Sequence, residues 1–251
     1  MSHKRSRAVE IVQITDIHLG KDAAFMLKGV NTADTLSGVL AKVRQTSFDW
    51  LIATGDISDD FSPASYQLFR DLLRQADLTS LVCLSGNHDN PAVMESVLHS
   101  VMLPRVFDEG EWLFICLNTT IVGEDDGEIA EADFIQLETL LAQQSTKHVA
   151  LFMHHHVISV QSRWIDRYGL RNADRFLALL DRHRHVRAVI GGHVHQTSES
   201  QHNGVTFYTT PATSLQFVPH SDKAEVSVDA PGWRKWSFWP DGQITTELYS
   251  L

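Results

Sequence analysis

The sequence has little cysteine and no long apolar run. Its two cysteines, Cys83 and Cys116, each lie inside an apolar stretch, which is typical of reduced core thiols in a cytoplasmic protein and not of a disulfide framework. No stretch approaches the roughly 20 apolar residues that span a bilayer. The basic residues near the N-terminus are followed by Ala8-Val9-Glu10 and not by an apolar signal segment. We therefore predict a cytoplasmic protein without a membrane partner.

Positive charge is also scarce, because 21 Lys and Arg residues stand against 31 Asp and Glu residues and the formal net charge is −10. Binding of duplex nucleic acid depends on neutralising phosphates with Lys and Arg, so we do not expect a nucleic-acid polymer as a partner. A small anionic substrate is compatible with this charge if cations are supplied locally. The 14 histidines offer ligands for metal cations, since imidazole is the commonest metal ligand.

Strand-like apolar runs alternate with amphipathic helical segments as far as Ile190. This alternation favours right-handed crossovers and a largely parallel α/β sheet. The pattern then changes, because residues 205–210, 233–239 and 243–249 are typical of strands joined by short turns. We predict that these last strands form a second, antiparallel sheet packed on the first. The length fits one large core, so residues 1–251 are predicted to form a single domain.

Five apolar runs end in side chains that can bind a metal. In chain order these side chains are Asp16 and His18, then Asp56, then Asn87 and His88, then His154, and finally His193 and His195. Ligands of open α/β sheets gather beyond the carboxyl ends of the strands. Each group alone also fits an ordinary turn, a strand-end cap or a solvated imidazole. Their joint occurrence predicts a metal site.

Two details of these groups stay open at the level of sequence. Residues along an extended strand alternate in direction, so at most one or two of the three consecutive histidines 154–156 can face the same site. We choose His154, which directly follows the apolar run, with His155 as the alternative. In the second group, the imidazole of His88 can exchange protons, and Asp89 is expected to fix its tautomer.

These motifs resemble the signature of the calcineurin-like metallophosphoesterase superfamily, which is Asp-x-His, Gly-Asp, Gly-Asn-His-Asp, a histidine after a strand, and Gly-His-x-His. All five occur in that order between Asp16 and His195. Nearly the whole chain is also similar to the bacterial class III 3′,5′-cyclic-AMP phosphodiesterases, in stretches that are not metal ligands. These stretches are 29–32, 170–173, 216–217 with 219–220, 230–234, and 241–242 with 245–247.

The resemblance implies a four-layer αββα sandwich, an α/β (α+β) fold in which two mixed sheets are flanked by helices. It also implies two divalent metal ions, Mn²⁺ or Fe²⁺/Fe³⁺, which nitrogen and carboxylate ligands suit. The first ion would be held by Asp16, His18, Asp56 and His195, and the second by Asp56, Asn87, His154 and His193. Many relatives follow the ligand histidine with His-Pro, which this chain replaces with His155-His156-Val157.

The implied reaction is hydrolysis of 3′,5′-cyclic AMP to AMP by metal-bound hydroxide. Asp56 would bridge the ions, Asn87 would hold the phosphoryl group, and His88 would donate a proton or hydrogen bond to the leaving oxygen. Other phosphodiesters are the first alternative: glycerophosphodiesters, 2′,3′-cyclic nucleotides or nucleotide-linked lipids. A non-catalytic metal-binding scaffold is the second, and the presence of both Asn87 and His88 argues against it.

Selectivity for the substrate is expected outside the metal ligands, because ions recognise the phosphate that all candidate substrates share. Residues 157–172 lack periodicity and follow a metal-bearing strand, so we predict a loop over the phosphate. Trp164 would offer a stacking face and Arg171 a charge. Residues 210–220, with Gln216-Phe217, are the alternative location. The phosphate itself would contact His18, Asp56, Asn87, His88 and His195. The sequence is also compatible with a homodimer.

Overall fold

A computed structural model describes residues 7–251. In chain order its strands are β1 (Val9–Ile14), β2 (Met26–Leu27), β3 (Val30–Asn31), β4 (Trp50–Thr54), β5 (Val82–Leu84), β6 (Val106–Glu109), β7 (Trp112–Cys116), β8 (His148–Phe152), β9 (Val186–Gly191), β10 (Ser198–His202), β11 (Val205–Thr209), β12 (Gly232–Phe238) and β13 (Ile244–Ser250). The helices are α1 (Thr32–Val43), α2 (Pro63–Gln75), α3 (Pro91–Leu98), α4 (Glu131–Gln143) and α5 (Ala173–Leu180), with a short 3₁₀ helix at Asp166–Tyr168.

Two mixed sheets contain all of these strands except the β2–β3 hairpin. The first has the order β13-β12-β1-β4-β5. In it β1, β4 and β5 are parallel, β12 is antiparallel to β1, and β13 is antiparallel to β12. The second has the order β10-β11-β9-β8-β7-β6, with four parallel strands and an antiparallel strand at each edge. The parallel strands of each sheet therefore have their carboxyl ends at the same edge of that sheet.

The arrangement confirms the two mixed sheets, but the predicted pairing of the last strands, β11 to β13, is wrong. β11 extends the parallel part of the second sheet beside β9, whereas β12 and β13 extend the first sheet beside β1. They do not form a separate antiparallel sheet, and the alternating strands before them are divided between two sheets. Local hydrophobic periodicity predicts that a strand exists, but the choice of partner strand depends on contacts distant in sequence.

Side chains of successive strand residues point alternately into two apolar layers, as the period of a strand requires. In β1, Val12 lies in the same apolar cluster as Leu36 of α1, whereas Ile11 lies in the cluster between the sheets that contains Phe152 of β8. In β8, Leu151 faces α4 and α5 instead. Helices α1 to α3 thus cover the first sheet and α4 and α5 cover the second. This confirms the four-layer αββα sandwich.

One polar side chain, Gln13 of β1, lies fully buried between the sheets. Its amide nitrogen donates to Thr54 Oγ1 at 2.8 Å and to the Gly191 carbonyl of the other sheet at 3.2 Å. Its oxygen accepts from Thr210 Oγ1 at 2.6 Å and from the Trp236 indole at 3.1 Å. Because burial of an unpaired amide is costly, these four bonds favour one alignment of the two sheets near their carboxyl ends.

The helix starts that position the site follow from local sequence. Asn31 caps α1, and the pairs Ser62-Pro63 and Asn90-Pro91, in each of which a capping residue precedes a proline, begin α2 and α3. Cys83 and Cys116 are buried and free, as predicted. Among residues 7–251, none of the helices has the length and apolar character needed to cross a membrane.

Candidate metal centre

The seven predicted metal ligands converge at the carboxyl ends of five strands taken from both sheets, and each is at most 8% exposed. They are Asp16 and His18 after β1, Asp56 after β4, Asn87 after β5, His154 after β8, and His193 and His195 after β9. The described residues also contain four groups of three His or Asp side chains whose potential ligand atoms lie within 4.8 Å of one another, and all four include predicted ligands.

The first predicted set has the spacing of donors around one ion. His18 Nε2 lies 3.1 Å from His195 Nε2 and 3.5 Å from Asp56 Oδ2. Asp16 Oδ1 lies 3.4 Å from His195 Nε2. Two donors about 2.1 Å from a common ion and at right angles to each other are about 3.0 Å apart. The four side chains therefore fit an ion placed among them.

The second predicted set is equally close and shares an atom with the first. Asn87 Oδ1 lies 2.9 Å from His193 Nδ1 and 3.1 Å from His154 Nε2. His154 Nε2 is also 3.4 Å from Asp56 Oδ2, the oxygen that faces His18 in the first set. This shared oxygen has the position required of a bridging ligand.

Three of the histidines are oriented through their second ring nitrogen. The Nδ1 atoms of His18, His154 and His195 lie 3.1 Å from Asp59 Oδ1, 2.8 Å from the Thr54 carbonyl and 2.7 Å from the Leu215 carbonyl, respectively. A histidine ligand usually donates its other N–H to such an acceptor, which leaves the Nε2 lone pair for the metal. These contacts favour the tautomer that an ion needs.

The distances to the other predicted ligands distinguish His154 from His155, because the Nδ1 atoms of both lie within hydrogen-bond distance of an oxygen. His155 Nδ1 contacts Thr119 Oγ1 at 2.8 Å, and its Nε2 has no hydrogen-bond partner within residues 7–251. His154 is the one whose Nε2 lies within hydrogen-bond distance of Asn87. The geometry supports His154 as the ligand, which was the first choice from the sequence.

The backbone is unusual where these side chains originate. Asp16, His18, Asp56, His193 and His195 all have positive φ angles, between 49° and 70°, which non-glycine residues adopt infrequently. Neighbouring glycines leave the space that the ligands occupy, because a Cβ on Gly86 would lie 2.2 Å from Asp56 Oδ1. Strained backbone of this kind clusters at functional sites.

The charges within the cluster favour a cation. Burial raises the pKa of Asp56, but the adjacent His154, with His88 and His18, more than offsets this and holds that pKa well below its usual value. Burial lowers the pKa of His154, yet the carboxylates of Asp56 and Asp16 raise it to about 9. The carboxylates therefore stabilise positive charge at this position, carried by a proton or by a metal ion.

A cavity of about 200 Å³ opens above the ligands. Its apolar wall is formed by five side chains: Leu27, Trp164, Ile165, Tyr168 and Phe217. The Phe217 ring meets Trp164 and His195 at 4.8 Å between centroids in each case. His88 also lines the cavity, and its side chain is 40% exposed. Trp164 therefore lines the cavity that also contains predicted metal ligands.

Arg171, the other predicted selectivity residue, does not line this cavity. Its guanidinium binds Glu124 at 2.8 Å and Asp126 at 2.7 Å. Asp125, between these two acids, does line the cavity. Arg171 thus binds the residues on both sides of Asp125 and does not itself line the cavity.

Two carboxylates have roles that the sequence interpretation missed or misassigned. Asp59 Oδ1 is 3.1 Å from His18 Nδ1 and 3.8 Å from His88 Nδ1, so it faces both imidazoles. The sequence signal for it is a second acid three residues after Asp56. The prediction that Asp89 fixes the tautomer of His88 is wrong. Asp89 accepts hydrogen bonds from the backbone of Ile57 and Gly86 instead.

Comparison with known proteins decides the family. Residues 9–197 match the model of the calcineurin-like phosphoesterases. The chain belongs to this family. Among calcineurin-like phosphoesterases, it is 36% identical over 248 residues to the 3′,5′-cyclic adenosine monophosphate phosphodiesterase CpdA of Escherichia coli strain K12, covering 97% of this chain and 90% of the relative. It is 34% identical over 249 residues to CpdA of Vibrio vulnificus, with the same coverage. These relatives confirm the resemblance to the bacterial class III enzymes.

Solved structures of calcineurin-like phosphoesterases share the fold. The crystal structure of a dimetal phosphatase from Danio rerio has a TM-score of 0.74 and 15% sequence identity, and the match covers 97% of this chain and 96% of the other. At this identity the similarity supports the architecture of the calcineurin-like fold and leaves the assignment of the metal ligands to the geometry above.

We expect Asp56→Asn to lose bound metal and activity together. The substitution removes the only charge shared by the two ligand sets, and no neighbouring side chain can replace it. Metal content of the purified variant, measured by inductively coupled plasma mass spectrometry, checks this. Asp71→Asn, which changes an exposed carboxylate on α2, is the matched control and should keep the wild-type content. Two ions per chain with normal turnover in Asp56→Asn would refute the bridging role.

Proposed function

We propose that this protein is a cytoplasmic, metal-dependent phosphodiesterase that hydrolyses 3′,5′-cyclic AMP to AMP, and that residues 1–251 act as a single domain. The observation that carries the proposal is the shared Asp56 Oδ2, 3.5 Å from His18 Nε2 and 3.4 Å from His154 Nε2, below an aromatic-walled cavity. Relatives named as 3′,5′-cyclic-AMP phosphodiesterases align with 97% of the chain and support the choice of substrate.

The family implies bound metal ions, and we propose that they are Mn²⁺ or Fe²⁺/Fe³⁺. The donor set of imidazole nitrogens, carboxylates and one carboxamide oxygen suits these metals. When bound, a pair of such ions supplies Lewis-acid polarisation of the phosphoryl oxygens and activation of a water nucleophile. The carboxylates of Asp16 and Asp56 neutralise only part of that charge. The floor of the cavity would therefore stay positive, which suits a phosphodiester monoanion.

The remaining polar groups bind and protonate the substrate. Asn87 Oδ1 faces His154 and His193, which leaves its amide N–H groups free to hold a phosphoryl oxygen. His88 lies at the exposed part of the cavity and is positioned to donate to the leaving oxygen. The Asp59 carboxylate, 3.8 Å from His88 Nδ1, favours the tautomer with its proton on Nδ1, because a carboxylate can only accept a hydrogen bond.

A substrate panel tests the proposal against its rivals. Protein stripped with a chelator is restored with Mn²⁺ or Fe²⁺ and assayed on 3′,5′-cyclic AMP, 3′,5′-cyclic GMP, 2′,3′-cyclic AMP, a glycerophosphodiester and a phosphomonoester. We expect the stripped protein to be inactive and the restored protein to produce AMP from 3′,5′-cyclic AMP. Faster hydrolysis of another diester would identify that diester, and not cyclic AMP, as the substrate. Two bound ions without hydrolysis of any compound would favour the scaffold.

His88→Ala should keep both metal ions and slow hydrolysis by about 10²- to 10⁴-fold, the usual effect of losing a general acid or positioned donor. The loss should shrink for diesters with better leaving groups, because these need less help from a proton donor. Steady-state kinetics with a series of aryl diesters measures the trend. His99→Ala, which changes an exposed histidine after α3, is the control. A collapse of metal content in His88→Ala would make His88 a ligand and contradict this division of roles.

Trp164→Ala should raise KM for cyclic AMP roughly 5- to 150-fold, because stacking of a base on an aromatic side chain contributes about 1 to 3 kcal/mol. Hydrolysis of bis(4-nitrophenyl) phosphate should change far less. Arg171→Ala should act in the same direction through the loop that carries Asp125, with Arg163→Ala, an exposed arginine, as control. Metal content is measured in parallel. Equal losses on both substrates would indicate that Trp164 does not recognise the nucleoside and would favour Gln216-Phe217 in that role.

A further inference from the structure

Asp89 is a fully buried carboxylate that contacts none of the predicted metal ligands through its side chain. Oδ2 accepts from the backbone N–H of Ile57 at 3.1 Å and of Gly86 at 2.9 Å. Oδ1 accepts from Ser58 N–H and from the Tyr66 hydroxyl, both at 3.0 Å. The Tyr66 oxygen in turn accepts from Asn90 N–H at 2.9 Å. All of these bonds are buried or partly buried.

The two N–H groups bound by Oδ2 belong to different ligand loops. Ile57 directly follows Asp56 in the loop after β4, and Gly86 directly precedes Asn87 in the loop after β5. The loops touch, because a Cβ on Gly86 would lie 2.6 Å from the backbone nitrogen of Asp56. One carboxylate oxygen therefore joins the residues that flank the two ligands.

We infer that Asp89 is a positioning residue that sets the separation of Asp56 and Asn87 and thereby the affinity of the second metal position. This inference rests on the metal centre proposed above. The second position takes ligands from both joined loops, namely Asp56 and Asn87. The first position takes only Asp56 from them, since Asp16, His18 and His195 follow other strands.

A carboxylate is the group that this place requires. Three backbone N–H groups and one hydroxyl converge on it, and an ionised carboxylate can accept from all four. An asparagine of the same shape has a single acceptor oxygen, and its NH₂ group would oppose an N–H of one loop. No Lys or Arg within residues 7–251 forms an ion pair with Asp89, so the three N–H groups and the Tyr66 hydroxyl are what stabilise its charge.

The alternative is that Asp89 only stabilises the packing of α2 beside the site, through Tyr66. Tyr66→Phe separates the two roles, because it removes one donor to the same carboxylate and keeps the bonds to both loops. Metal-free wild type, Asp89→Asn and Tyr66→Phe are each titrated with Mn²⁺, free ion being followed by electron paramagnetic resonance. Thermal unfolding of the same metal-free samples reports the loss of stability.

We expect two Mn²⁺ per wild-type chain, and in Asp89→Asn a second ion bound about 10- to 100-fold more weakly, the usual effect of losing an outer-shell partner of a metal site. The first ion should be little affected. Tyr66→Phe should unfold at a lower temperature and bind both ions like wild type. Unchanged affinities in Asp89→Asn, or equal losses in both variants, would overturn the inference.

If Asp89→Asn does not fold, Asp89→Glu takes its place, since it keeps two acceptor oxygens but moves them outward by one methylene. The second-ion affinity should again fall relative to Tyr66→Phe, and an unchanged affinity would overturn the inference. A wild type that binds no Mn²⁺ or Fe²⁺ would refute the metal centre and this inference with it. A wild type that binds both ions and leaves cyclic AMP intact would refute only the substrate, because affinity is the quantity measured.

Discussion

One oxygen of the Asp56 carboxylate lies within 3.5 Å of imidazole nitrogens supplied by both sheets, from His18 after β1 and from His154 after β8. An anion so deeply buried is stable only beside positive charge, and its neighbours hold its pKa well below the usual value despite the cost of burial. The arrangement requires the carboxyl ends of the two sheets to meet on one side. The apolar layer between the sheets, with Gln13 bonded to both, satisfies that requirement.

Bringing these donors together is locally unfavourable for the backbone. Five of the ligands have left-handed φ angles, and such residues persist only where the surrounding contacts determine them. The contacts are present: Asp59 and the Thr54 and Leu215 carbonyls orient the imidazoles, and Asp89 joins two of the loops. Groups behind the ligands therefore hold the donor side chains and their loops in place, although they are not predicted ligands themselves.

Local signals in the sequence were sufficient for the helix starts and for the strand ends that carry the ligands. Ser62-Pro63 and Asn90-Pro91 begin helices because a cap and a proline act within one turn. The allocation of strands to sheets was not predictable in this way. β12 pairs with β1 from the opposite end of the chain, while β11 joins β9, and both have the same alternating pattern. The four-layer architecture was available only through the family resemblance.

The dependence on contacts distant in sequence also explains which site residues could be predicted and which could not. A ligand motif fixes its side chains relative to the end of one strand, so Asp16, His18 and Asp56 could be placed from sequence. The partner of a long side chain, or of a side chain that lies behind the ligands, is set by another loop, and the roles of Asp59, Asp89 and Arg171 depend on such partners. Arg171 has the charge expected of a substrate ligand, yet Glu124 and Asp126 bind it from the loop that brings Asp125 to the cavity. Its influence on the substrate would therefore pass through the shape of that loop, so charge alone does not identify a binding residue.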